Sequence, residues 1–252
     1  MGVIEDVSAL GKVLMRLTRS IWQAFIDNRW ERAKYLKTLY DKVSNESEVH
    51  GWYLDIGARD GINSLVFGQK FAEIIMLDVQ LGQEAKAFCE DHSHAHCVVG
   101  NAESLPFREC CFNLVTIISV LEHLWDPKRA VSEASRVISW GGKLVIQVPN
   151  RNFPLDLHTG LPNPFLFCPS FLRPALLSRL GYEWWVNDVH KAPGGKQLGG
   201  WVKGDMQLLS REKVIYPEVL IPKALRPLYR FFRKSRLLNV MPLGFMYIYE
   251  KA

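Results

Sequence analysis

The spacing of apolar positions changes along this chain, and each change marks a different kind of element. Over residues 7–45 the period is helical. Leu10, Val13, Leu14, Leu17, Ile21, Trp22, Phe25 and Ile26 share one face, and Trp30, Ala33, Leu36, Leu39, Tyr40 and Val43 share another. This predicts two helices. Their stripe suits a lid or packing arm over a larger core, with a membrane-associating face as the alternative. From 52 to 149 short apolar runs take over, at 52–56, 73–78, 96–100, 112–118 and 143–148. They alternate with helical stretches near 62–71, 82–91 and 127–139, the last opening on Asp126 as cap with Pro127 behind it. Ala130, Val131, Ala134, Val137 and Ile138 form its inner face, and Gly141-Gly142 reads as its stop. Alternation of this kind predicts an α/β fold, a mostly parallel sheet with helices on both faces. The runs 73–78 and 112–118 are almost continuously apolar, as burial on both sides requires.

Beyond Pro149-Asn150 the texture loosens. Pro154, Pro162, Pro164 and Pro169, then Gly194, Gly195, Gly199, Gly200 and Gly204, mark 151–204 as an insertion covering one end of the sheet. The chain returns with a strand near 213–220, a basic helix near 223–235 and a last strand near 244–250. The organisation expected is a helical arm over 1–50 and one domain over 51–252.

The turn after the first run carries the chemistry. Trp52-Tyr53-Leu54-Asp55-Ile56-Gly57-Ala58-Arg59-Asp60-Gly61 reads as a buried strand that reaches an acid and turns through two glycines into a helix. Such a turn brings backbone N–H groups and a helix N-terminus against a polar ligand. The second run, Ile74-Ile75-Met76-Leu77, ends on Asp78, where a ribose is gripped through its hydroxyls. A nucleoside-type cofactor follows. The dinucleotide fingerprint G-x-G-x-x-G is missing, since Gly57 and Gly61 are the only glycines of the turn, and this argues against a nicotinamide enzyme.

Composition adds bounds. With 252 residues, 48% hydrophobic and 23% charged, the chain suits a folded protein of one large domain. A net charge of +5 fits an anionic substrate or a membrane surface without requiring either. Cys89, Cys97, Cys110, Cys111 and Cys168 are odd in number and form no C-x-x-C, which points to free thiols in a reducing compartment. Glu5 and Asp6 stand where a signal peptide wants positive charge, no run of 18 apolar residues occurs, and Asp6 spoils a myristoylation motif after Gly2. The expected location is cytoplasmic, with peripheral contact at the inner membrane face. His92, His94 and His96 alternate like a metal tract, but they sit in the loop entering the third strand, so no metal is expected there.

Four segments in order resemble class I S-adenosylmethionine-dependent methyltransferases. Leu54-Asp55-Ile56-Gly57-Ala58-Arg59-Asp60-Gly61 resembles that family's D-x-G-x-x-x-G turn. Gly100-Asn101-Ala102-Glu103-Ser104-Leu105-Pro106-Phe107 resembles its G-D-A-x-x-L-P-F segment. Phe112-Asn113-Leu114-Val115 through Ser119-Val120-Leu121-Glu122-His123-Leu124-Trp125-Asp126-Pro127 resembles F-D-x-V followed by V-L-E-H-x-x-D-P. Gly141-Gly142-Lys143-Leu144-Val145-Ile146 with Pro149-Asn150 resembles its fifth-strand segment. The similarity is nearest the type 11 group, which includes ubiquinone-pathway-like enzymes, and covers about 52–150. It implies a Rossmann-like, seven-stranded, mostly parallel sheet and S-adenosyl-L-methionine as cofactor.

The resemblance also implies roles. Asp55 orients the turn or meets the amino group of the methionine part. Gly57 and Ala58 approach the cofactor, Gly61 permits tight packing, and Asp78, with Val79 beside it, accepts from the ribose. Asn101 accepts from the adenine amino group and the Ala102 N–H donates to a ring nitrogen, while Ile118 and Ser119 lie under the sulfonium. Two positions depart from the pattern: Arg59 replaces a usual glycine and would crowd or pair with the methionine carboxylate, and Asn101 replaces the commoner Asp. His123 and His158 are the candidate bases, with Asp156 behind them; His123 equally suits packing at the pocket wall, and His158 a loop-fixing bond. Glu122-His123 alone is too little for a metal. Trp184-Trp185 would wall the acceptor pocket or join the core.

The activity implied is methyl transfer to a small-molecule or lipid-linked acceptor. Nucleic acid is not expected, since Ser119-Val120-Leu121-Glu122 stands where amino-group methylation of bases would place N-P-P-Y and no RNA-binding module is recognisable. The alternatives are an RNA methyltransferase, or a non-catalytic binding or scaffold protein of the same fold. The basic helix, with Arg226, Arg230, Arg233, Lys234 and Arg236 among Leu228, Tyr229, Phe231, Phe232, Leu237 and Leu238, suits a solvated face or docking to anionic lipid or to a phosphate-bearing acceptor. Oligomeric state is not legible.

Overall fold

The computed structural model describes residues 26–44, 51–154, 192–221 and 223–252, with single positions between 20 and 24 and between 169 and 179. In chain order the elements are α1 (Arg29–Asp41), β1 (Trp52–Ile56), α2 (Ile62–Phe67), β2 (Glu73–Asp78), α3 (Gln83–Asp91), β3 (Ala95–Val99), β4 (Phe112–Ile118), α4 (Pro127–Val137), β5 (Ile138–Pro149), α5 (Gly195–Gly199), β6 (Met206–Val214), α6 (Arg226–Lys234), α7 (Leu237–Val240) and β7 (Gly244–Lys251).

The seven strands lie in the order β3-β2-β1-β4-β5-β7-β6. The first five run parallel, and β7 enters antiparallel between β5 and β6. The chain moves outward from β1 to β3, then crosses to β4 on the other side of β1. The strand order therefore reverses between β1 and β4, and ligands of open α/β sheets bind outside the carboxyl ends at that point.

Period-2 alternation splits each strand between two apolar layers. Tyr53, Ile74, Met76, Leu114, Val145, Met246 and Ile248 face a layer formed by α1, α2, Tyr216 and Tyr229. Leu54, Ile56, Val115, Ile117, Leu144, Ile146 and Tyr247 face Ala130, Val131, Ala134 and Val137 of α4, and Leu198 of α5. In the arm, Ala33, Leu36, Leu39 and Tyr40 of α1 are buried on the first layer, and the Ile215 N–H donates to the Tyr35 hydroxyl at 3.0 Å.

Two boundaries differ from the sequence expectation. α4 stops at Val137, because Ile138 is already extended and pairs with Phe112; the glycine pair forms an irregularity within β5, Gly141 taking φ +72°. The strand expected near 213–220 is β6 at 206–214. Only its two ends are buried, and Gln207, Ser210, Arg211, Glu212 and Lys213 interrupt its apolar residues, as suits an exposed sheet edge. Of the expected insertion, the described part includes α5, which packs Leu198 into the α4 layer, and a Cβ on Gly195 would meet the Tyr247 hydroxyl at 2.8 Å. The first arm helix lies outside the described residues except near its end.

Candidate active site

The first turn is held by backbone. The N–H groups of Gly57 and Ala58 both donate to the Leu77 carbonyl, at 2.8 and 3.1 Å, which ties the end of β1 to the end of β2. Gly57 takes φ +79°, and a Cβ there would lie 2.2 Å from Val120 Cγ2. Gly61 also takes φ +79°, with Met76 Sδ at 3.0 Å and Ala85 Cβ at 3.3 Å from a Cβ it lacks. Its lost side chain thus lets α2 and α3 close on β2.

Asp55 lies behind this turn. It is buried with Tyr53 and Ser64, and its oxygens accept from the Ser64 and Thr116 hydroxyls, both at 2.7 Å. The Tyr53 and Thr116 hydroxyls are 2.8 Å apart, which extends the network. Burial, against the help of the two hydroxyls, pushes the Asp55 carboxyl up to about 6.

Asp78 closes the second strand with its carboxylate fixed by backbone. Oδ2 accepts from the Arg59 N–H at 3.0 Å, and Oδ1 accepts from the Gln80 N–H at 2.9 Å. Each oxygen keeps lone-pair capacity for a further donor. Arg59 takes φ +38°, the left-handed region in which glycine is at ease, and its carbonyl accepts from the Gly82 N–H at 2.7 Å. Asn101 is turned in the same way, Oδ1 accepting from the Glu103 N–H at 2.9 Å. Past β4, Ser119 is left-handed at φ +55°, clamped by its N–H to the Gln147 carbonyl (3.1 Å) and its hydroxyl to Gln147 Oε1 (2.6 Å).

These groups border one cavity of 830 Å³ at the carboxyl edge. The turns at the ends of β1 to β4 contribute Gly57, Ala58, Arg59, Asp78, Val79, Asn101, Ala102, Ile118 and Ser119 to its lining, with Arg29 beside the first of them; Arg32, Val120, Glu122, His123, Gln147, Tyr216 and Leu243 are a second group of lining residues. Arg29 bridges Asp60 at 3.2 Å and Glu84 at 3.6 Å, which fastens α1 to the first turn. Glu122, in the turn Leu121–His123, is buried, and its Oε2 has no hydrogen-bond partner among the described residues. Burial raises its pKa, opposed by the charges of His123 and Arg32.

The cavity gathers Gly57, Ala58, Asp78, Val79, Asn101, Ala102, Ile118, Ser119 and His123 from the expected set. Asp55 and Gly61 stand behind its wall rather than in it, because one is sealed by two hydroxyls and the other by close helix packing. His158, Asp156, Trp184, Trp185 and Cys168 lie outside the described residues. His96 pairs with Glu73 at 2.7 Å and His92 stacks on Phe88 at 3.9 Å; among the described residues no three metal-ligating side chains converge. Arg29, Arg32, Glu122, Gln147, Tyr216 and Leu243 were not anticipated as wall residues. Gln147, a buried polar residue within the apolar run Leu144–Val148, was the visible signal.

Comparison with known proteins gives the family. Residues 54–146 match the family described as a methyltransferase domain. An uncharacterised methyltransferase, YcgJ of Bacillus subtilis, is 31% identical over 177 residues, covering 64% of this chain and 68% of that protein. The chain belongs to the S-adenosylmethionine-dependent methyltransferases. A demethylmenaquinone methyltransferase of Renibacterium salmoninarum is 33% identical over 93 residues, which spans 37% of this methyltransferase and only 39% of the relative. The YcgJ crystal structure superimposes with a TM-score of 0.53 over 87% of this chain and 98% of that one, at 17% identity over this longer alignment. A geranyl diphosphate C-methyltransferase from Streptomyces coelicolor gives 0.55 over 86% and 76% at 11% identity, a likeness of fold alone.

The residues of this methyltransferase fit its cofactor. Asp78 presents a fixed double acceptor, Asn101 an oriented amide, and the Gly57–Ala58 turn a close backbone with no side chain beyond Cβ.

Proposed function

We propose that the chain transfers the methyl group of S-adenosylmethionine to a small-molecule or lipid-linked acceptor. The observation that carries this reading is that Asp78 and Asn101 line the same cavity as Glu122, His123, Gln147 and Tyr216, which leaves room beside the cofactor for an acceptor. Asp78 would hold the ribose hydroxyls, Asn101 and the Ala102 N–H the adenine, and the Gly57–Ala58 turn the amino-acid end. When bound, the cofactor supplies a methyl group on a sulfonium centre. The protein's part is alignment and exclusion of water. Ile118 and Val120 would give that centre apolar surroundings. Asp55 would act through the turn it supports.

On the acceptor side, Glu122 Oε2 is buried without a hydrogen-bond partner among the described residues, suited to receive a hydrogen bond from the acceptor's nucleophilic group. His123 stands beside it in the cavity, and His158 keeps its place as a second base on sequence grounds. The proposed location is cytoplasmic, with contact at the inner face of a membrane. No helix among the described residues is long and apolar enough to cross a membrane.

Calorimetric titration of S-adenosylhomocysteine tests the cofactor half: binding should be micromolar and collapse in Asp78→Ala. Label from methyl-labelled S-adenosylmethionine should then move into a small-molecule or lipid extract. Binding with no transfer to any extract would favour the non-catalytic alternative, and no binding to folded protein would refute the reading.

A further inference from the structure

The second group of cavity-lining residues is backed by a surface the methyl-transfer reading leaves unused. From Val219 to Tyr249 the chain has no acidic residue and six cations, Lys223, Arg226, Arg230, Arg233, Lys234 and Arg236. Arg230 is paired with Glu218 through two guanidinium nitrogens, at 2.7 to 3.0 Å. Arg226 donates to the Ile221 and Val219 carbonyls, which shapes the turn into α6. Among the described residues Lys223, Arg233, Lys234 and Arg236 form no ion pair, and all four are exposed. Apolar side chains stand out between them: Phe231 is 64% exposed, Leu228 53% and Val240 79%, with Leu237 also exposed.

The geometry of α6 makes this a face rather than a scatter. Tyr229 is its buried residue, and its hydroxyl donates to the Tyr216 carbonyl. At about 100° per residue, Phe231 points about 200° away from Tyr229, outward, with Lys234 and Arg230 on one flank and Leu228 on the other. Arg236, left-handed at φ +58°, turns the chain into α7, which exposes Leu237 and Val240. An apolar crest flanked by exposed cations, of which Lys234 has no ion pair among the described residues and Arg230 has one, is complementary to a bilayer with anionic headgroups. A nucleic acid would use the cations and stack a base on Phe231, but would leave Leu228, Leu237 and Val240 exposed.

We propose that α6 and α7 form a docking face for an anionic lipid bilayer, with Phe231, Leu228, Leu237 and Val240 entering the headgroup boundary. The face adjoins the acceptor half of the cavity. Tyr216, held by Tyr229, lines that half, and so does Leu243, which follows α7 and donates its N–H to the Val214 carbonyl at 3.1 Å. An acceptor with a lipid tail would then reach the cavity from the bilayer beneath Tyr216 and Leu243. This route rests on the methyl-transfer reading; the docking face does not.

The test is co-sedimentation of the full chain with vesicles of phosphatidylcholine alone or mixed with phosphatidylglycerol. Binding should be strong on mixed vesicles, at least about tenfold weaker on phosphatidylcholine, and weakened by salt. Each cation near such a surface is worth about fivefold, so the double variant Lys234→Glu with Arg236→Glu should lose about twentyfold or more at low salt. The double variant Phe231→Asp with Val240→Asp should lose binding at every salt concentration. S-adenosylhomocysteine affinity, measured in each variant, should not change. The proposal is overturned if protein that binds S-adenosylhomocysteine stays in the supernatant with mixed vesicles at low salt, or if the variants sediment like wild type. It is also overturned if the protein binds a single-stranded RNA oligonucleotide and no vesicle, or dimerises through Phe231. Vesicle binding by protein that fails to bind S-adenosylhomocysteine would support the face and refute methyl transfer.

Discussion

Replacing Asp55 by Asn separates a residue that shapes the site from one that touches a ligand. The carboxyl is 1% exposed and accepts from the Ser64 and Thr116 hydroxyls at 2.7 Å. Both hydroxyls can rotate to suit an amide, so the variant keeps the network's shape. Burial is the largest influence on this group, and it raises the folded pKa from 3.8 to about 6. A raised folded value means that the neutral form is the favoured one. The stabilisation is fully present below the unfolded pKa and is lost as pH rises through the folded one. Two units at about 1.4 kcal/mol each amount to about 3 kcal/mol. Unfolding by urea at a series of pH values gives the stability of wild type and variant, and subtraction removes every other titrating group. Wild type minus Asp55→Asn should fall by about 3 kcal/mol between about pH 4 and pH 7. A flat difference would refute the dominance of burial, and a rising one would show that the two hydroxyl bonds outweigh it. Because Asp55 lies behind the cavity wall, S-adenosylhomocysteine affinity should change by less than about threefold. A directly ligating carboxylate would lose about 1.5–3 kcal/mol, tenfold or more.

Gly57→Ala should destabilise the fold by at least about 2 kcal/mol, from a left-handed backbone and the 2.2 Å approach to Val120 Cγ2. A double-mutant cycle with Val120→Ala should return a coupling of about 1 kcal/mol or more, and additive losses would refute the overlap. Glu122→Gln should gain stability over wild type as pH rises, because burial raises the folded pKa of the carboxyl and its favourable contribution is lost above that value. The same variant should slow methyl transfer, and unchanged turnover would remove Glu122 from the acceptor side. Arg29→Ala should cost at most about 1 kcal/mol in urea unfolding, since both salt bridges are partly open to solvent, and a loss above about 2 kcal/mol would show a larger role for α1.

How much of this molecule the sequence discloses depends on whether the relevant contact is local. The runs 52–56, 73–78 and 112–118 coincide with β1, β2 and β4, because strands buried on both faces are apolar throughout. β6 was misplaced because an edge strand answers to solvent on one side, and the more apolar stretch just after it drew the assignment. The site divides in the same way. Asp78, Asn101 and Gly57 sit in turns that close within a few residues, through the Gln80, Glu103 and Leu77 backbone, so short motifs reveal them. Even Arg59, which breaks the motif, keeps the backbone of the glycine it replaces: its N–H is needed by Asp78 and its carbonyl by Gly82, and both bonds fix φ at +38°.

The acceptor half obeys no such rule. Arg32 comes from α1, Glu122 from the turn after β4, Gln147 from β5, Tyr216 from the loop after β6 and Leu243 from the approach to β7. These positions span more than two hundred residues and meet only because the strand order reverses beside β1 and β7 returns antiparallel beside β5. No periodicity links them. On the proposed reading, the fold fixes the cofactor contacts through local turns and leaves the acceptor wall to elements that can change independently of one another. On this argument, substitutions at Arg32, Tyr216 or Leu243 should alter which acceptor is methylated while leaving S-adenosylhomocysteine affinity within about threefold, whereas substitutions at Asp78 should weaken that affinity for every acceptor alike. Acceptor-independent loss at Tyr216 would show that the two halves are coupled and would refute the division.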